Sequence, residues 1–61
     1  MKITDIVKGG VYEDSDGQRF TVIQTEREPS GRIIARYLNG NPWPGGLRVR
    51  AFAKQMVRRV V

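Results

Sequence analysis

The chain of 61 residues contains no cysteine and no histidine. Without thiols there are no disulfide staples and no thiol nucleophile. Without imidazoles there is no side chain that titrates near neutrality by default, and almost every route to a structural zinc site is closed. No apolar run approaches the length needed to cross a bilayer, and the residues after Met1 mix polar with apolar types instead of forming the apolar heart of a signal peptide. These features predict a cytoplasmic protein with no membrane partner. Aromatic residues are few as well: one Trp, two Tyr and two Phe. A chain this short buries only about 60% of its unfolded surface, so those five rings carry a large share of any core.

The most informative absence is acid. Residues 1–31 hold four bases (Lys2, Lys8, Arg19, Arg27) and all six acids (Asp5, Glu13, Asp14, Asp16, Glu26, Glu28), a net −2. Residues 32–61 hold seven bases (Arg32, Arg36, Arg48, Arg50, Lys54, Arg58, Arg59) and no acid, a net +7. The whole chain carries +5, with a pI near 10.5. One short domain over 1–61 cannot be cut at residue 31, so the asymmetry has to become a difference between faces or edges of one folded body. An excess of this kind favours a polyanionic partner.

Glycine and proline divide the chain into short segments. Val11 to Glu13, Arg19 to Glu26, Arg32 to Leu38 and Leu47 to Phe52 read as strands, the middle two being rich in β-branched and aromatic residues. Asp16-Gly17 suits a tight hairpin between the first and second strands, and Pro29-Ser30-Gly31 a turn between the second and third. The segment from Asn39 to Gly46, stiffened by Pro42 and Pro44, reads as a protruding loop. At the C-terminus Phe52, Ala53, Met56, Val57 and Val60 fit one face of a helix, yet the valines favour strand. One helical turn over Phe52 to Gln55 followed by a final strand is the expected outcome. The predicted class is all-β, an antiparallel meander of five strands closed into a small barrel.

Lys8-Gly9-Gly10-Val11-Tyr12-Glu13-Asp14 resembles the opening strand of the SH3-like barrel, and Phe52 to Val60 resembles its helical turn and closing strand. The pattern is similar to that of short phage- and prophage-encoded proteins, which begin with a Gly-x-x-Tyr/Phe-x-Asp segment. The resemblance implies the SH3-like barrel fold and a phage-like origin, and it implies no activity or binding residue. The chain departs from the peptide-binding SH3 domains in lacking their acidic, aromatic-rich groove.

Catalysis finds little support among these residues. The acids gather at a hairpin tip, Ser15 and Ser30 have no base in sequence reach, and no enzyme activity, cofactor or metal site is predicted. Asp14 and Asp16 with Glu13 lack the further oxygen ligands of a cation loop. Gly9-Gly10 and Gly45-Gly46 lack the spacing and lysine of a phosphate loop and read as turn residues.

The basic half is the serious candidate. If Leu47 to Ala51 is a strand, Leu47, Val49 and Ala51 face the core while Arg48 and Arg50 project together about 7 Å apart, matching neighbouring phosphates. Arg32 and Arg36, with Lys54, Arg58 and Arg59, extend this into a continuous stripe. Five phosphate contacts would give a log–log salt slope of roughly −4 on duplex DNA. Trp43, between two prolines, is either a stacking or anchoring ring or a cap over the barrel's open end. Ile34 and Leu38 share a strand face with Arg36, which implies either a homodimer covering that face or a bend in the strand. The expected function is non-catalytic nucleic-acid binding, to DNA before RNA, as a phage-encoded accessory or regulatory factor. The alternative is a protein-interaction module docking on an acidic surface of a host protein.

Overall fold

Asp14 organises the first hairpin. In the computed structural model, which describes residues 1–61, its Oδ1 accepts backbone N–H bonds from Asp16 at 3.0 Å and Gln18 at 2.9 Å. This satisfies the turn's donors locally and places Asp16-Gly17 at the tip, as the sequence implies. The hairpin joins β1 (Val11–Asp14) to β2 (Arg19–Arg27). The Pro29-Ser30-Gly31 turn then leads to β3 (Ile33–Leu38). β4 (Gly45–Arg48), a seven-residue helix α1 (Val49–Gln55) and β5 (Met56–Arg59) complete the chain, and a 3-10 turn at Ile3–Asp5 precedes the sheet. The fold is all-β, with five antiparallel strands in the order β4-β3-β2-β1-β5 and one short helix before the last strand.

Two expectations change. The sheet does not close on itself: no ladder joins β4 to β5, and α1 fills the gap between these two edges. The strand expected over Leu47 to Phe52 also ends early, at Arg48. Val49, Phe52, Ala53 and Met56 are all buried at the i, i+3, i+4, i+7 spacing of a helix, so the helical period starts three residues before Phe52. Alternation in Leu47-Arg48-Val49-Arg50 mimics a strand, but Phe52 reaches the core only if the chain coils at Val49.

Gly45 and Gly46 prove to be strand residues, not turn residues. They pair with Tyr37 and Arg36, and a Cβ on Gly45 would lie 2.6 Å from the Tyr37 ring. Glycine at 45 is therefore required for β4 to approach β3 beneath the Tyr37 ring, whereas at Gly46 the nearest atom is the movable end of the Arg36 side chain.

The inner face of the sheet carries the core. Tyr12, Val22, Ala35 and Phe52 have no exposed surface, and Ile6, Val49, Ala53 and Met56 complete the cluster. Phe52 stands at its centre, with ring centroids 5.5 Å from Tyr12, 6.1 Å from Phe20 and 5.7 Å from Tyr37. Two of these contacts are edge-to-face, the arrangement ring quadrupoles favour. The Tyr12 hydroxyl donates to the Asp5 carbonyl at 2.6 Å and accepts from the Val7 N–H at 2.9 Å, clamping the N-terminal segment onto β1. The outer face carries Ile34, Arg36 and Leu38, the two apolar side chains half-buried within the single chain beside a register shift between Val22 and Gln24.

Phe52→Ala removes the ring that touches three others. Such a truncation costs about 3–5 kcal/mol, against a total stability of about 3–9 kcal/mol for a chain of this size. Urea titration followed by far-UV circular dichroism is expected to show the unfolding midpoint falling by about a third or more. A midpoint close to that of the parent would remove Phe52 from its central place.

Candidate nucleic-acid interface

The seven bases of the second half do not form one stripe. Glu13, on the outer face of β1, lies between its cross-strand partners Arg19 and Arg58. It accepts from Arg58 Nε at 3.1 Å and Arg19 Nε at 3.4 Å. Arg36 Nε lies 3.5 Å from the Glu26 carboxylate on β2. Arg59 donates to the Val61 carbonyl at 2.7 Å. Arg36 and Arg58 are thus tied to carboxylates of the first half, which breaks the continuous field expected from charge counting. The break follows from topology, since β3 and β5 are hydrogen-bonded to the two strands that hold Glu13 and Glu26.

Arg32, Arg48, Arg50 and Lys54 remain, all exposed and none within ion-pair distance of a carboxylate. Three of them converge. Arg32 comes from the β2–β3 turn, Arg48 from the end of β4 and Arg50 from the first turn of α1, and together they line a shallow cavity of about 340 Å³. Arg48 and Arg50 therefore meet across a strand–helix junction, not along one strand. Gly31, at φ +91, makes the reversal that carries Arg32 to this place, with Gly31 N–H donating to Glu28 O and Glu28 N–H to Arg32 O, both at 2.8 Å. The cavity's apolar walls are Ile3, Ile33 and Val49. Val49 is buried, but Ile3 and Ile33 are 46% and 37% exposed. Lys54 lies one helical turn beyond Arg50 on the exposed side of α1 and extends the charge without lining the cavity.

Trp43 is not a cap, for it is 80% exposed. The Trp43 backbone N–H donates to Asn41 Oδ1 at 3.1 Å, and the loop is tied to the acidic hairpin by Asn39 Nδ2 donating to Gln18 Oε1 at 3.4 Å. Arg32 precedes β3 and this loop follows it, so Trp43 and the arginine cluster stand at opposite ends of that strand, separated by about 20 Å at the usual rise. One short ligand does not engage both.

The cavity walls were not legible beforehand. Ile3 belongs to a segment with no strand pattern, and Ile33 and Val49 alternate like ordinary core residues. Their meeting depends on the β3–β4 pairing and on where α1 begins. No protein-family model, curated protein or solved structure matches this chain.

The Glu13 carboxyl titrates below its ordinary value, chiefly because Arg58 donates to it, with Arg58's charge and the Arg19 contact adding to the effect against partial desolvation. A carboxyl lowered in the folded state contributes stability above its unfolded pKa and loses it as pH falls through the folded one. Glu13→Gln is therefore expected to melt below the parent at neutral pH, with the gap holding down to about pH 4.5 and closing as pH falls further through the lowered pKa of the folded state. A gap that does not narrow below about pH 4.5 would show that the ion pairs contribute nothing to folding.

Proposed function

We propose that this protein binds nucleic acid without catalysis, through phosphate contacts made by Arg32, Arg48 and Arg50. The observation that carries this reading is that three arginines, none of them ion-paired with a carboxylate, line one cavity. Each guanidinium offers a planar fork of donors that matches two oxygens of a phosphate, and none has a carboxylate within ion-pair distance. Lys54 lengthens the cationic surface along α1. Phosphate contact positions a protein without reading sequence, so the reading implies weak base preference. The accompanying setting is cytoplasmic, as a phage-encoded accessory factor; no helix is long and apolar enough to cross a membrane.

A second reading has its own observation. Trp43 is held open to solvent on a proline-flanked loop, the placement of an anchor for a protein partner. Because that loop lies at the other end of β3, the two readings separate cleanly by mutation.

Fluorescence anisotropy titrations of the intact chain against duplex DNA over a range of salt test the first reading. Three phosphate contacts predict a log–log slope of about −2.7, and Arg48→Gln is expected to reduce it by about 0.9 while weakening binding. Arg58→Gln, which removes a guanidinium already engaged by Glu13, is expected to leave the slope unchanged, as is Trp43→Ala. Absence of binding at about 50 mM salt would rule out the phosphate reading.

A further inference from the structure

Resting on the phosphate-binding reading, we propose that the cavity between Arg32, Arg48 and Arg50 selects single-stranded nucleic acid by taking one unstacked base against Ile3, Ile33 and Val49. A purely electrostatic footprint needs only charge spread along a surface. Here the charges ring an apolar concavity, and two of its walls are large aliphatic side chains left 46% and 37% exposed in a chain that has little core to spare. Exposed isoleucines among guanidinium groups contribute nothing to a phosphate contact. They do desolvate the face of a flat, weakly polar ring.

A duplex has no such ring face to offer, because its bases are stacked and paired and show only their edges in the grooves. A single strand presents unstacked bases, and guanidinium planes stack on them while their edges remain free for the adjoining phosphates. The three arginines come from three different elements and line one cavity, which suits one nucleotide and its two neighbouring phosphates. A volume of about 340 Å³ lies at the small end of the range for ligand pockets. The other charged groups nearest in sequence are Arg27 at the end of β2, Glu28 on the adjoining turn, and the Met1 ammonium, Lys2 and Asp5 around Ile3; they add no excess of acid to set against the three arginines.

The test compares a labelled oligothymidine of about 12 nucleotides with a duplex of equal length, by anisotropy on the intact chain at about 50 mM salt. The single strand is expected to bind about tenfold tighter. Ile33→Ala is expected to reduce that ratio towards unity, whereas Arg48→Gln weakens both ligands. Ile3→Ser provides the same reading from the opposite wall should Ile33→Ala fail to fold by circular dichroism. Equal or tighter binding of the duplex, or a ratio that survives loss of the aliphatic walls, overturns the base pocket while leaving phosphate binding intact. Folded protein that binds neither ligand overturns both readings.

Discussion

Everything in this fold depends on the Phe52 ring entering from outside the sheet. Five short strands in an open order leave two edges, β4 and β5, that do not hydrogen-bond to each other. A curved open sheet of this size has too little apolar surface to hold its shape, and the chain has no disulfide to hold it instead. Helix α1 spans the two edges and carries Phe52 into contact with rings from β1, β2 and β3. The same seven residues thus close the core and, on their exposed side, present Arg50 and Lys54. Stability and the cationic surface are two faces of one helix.

Charge follows strand order more than composition. Exposed ion pairs such as Arg36–Glu26 and Arg19–Glu13 contribute little to stability, because solvent screens them and ordering long side chains is costly. Their consequence is subtraction. Each engaged guanidinium is removed from the field available to a ligand, and the strands adjacent to acidic β1 and β2 lose theirs. The turn before β3 and the junction between β4 and α1 lie away from those carboxylates and keep theirs. A net +7 spread along half the sequence becomes a group of three arginines on one cavity, with Lys54 outlying on α1 and Arg59 apart on β5.

What the sequence made legible was local. Asp16-Gly17 and Pro29-Ser30-Gly31 mark both turns where they occur, the β-branched runs mark β2 and β3, and a helical turn before a closing strand is written in Phe52 to Val60. Errors arose where two periodicities overlap. Leu47-Arg48-Val49-Arg50 satisfies alternation for four residues while Val49 also begins a helical face, and only the need to bury Phe52 decides between them. Gly45-Gly46 looked like a turn because glycine's other role, admitting a neighbouring strand under large side chains, depends on what stands opposite. The arginines of the site were identified individually, but which of them remain unpaired is set by non-local pairing.

That pairing bears directly on the site. Antiparallel register places Gly46 opposite Arg36 and Arg48 opposite Ile34, so Arg48 shares the outer face with Arg36. A slip of one residue would turn Arg48 inward towards the aromatic cluster and Leu47 outward to solvent. A slip that set Pro44 opposite Tyr37 would also put a proline ring where the approach of β4 to Tyr37 admits only glycine. Gly45 therefore helps fix the position of a guanidinium three residues further along. The placement of Arg48 is specified at the opposite end of its strand, by a residue that does not line the cavity.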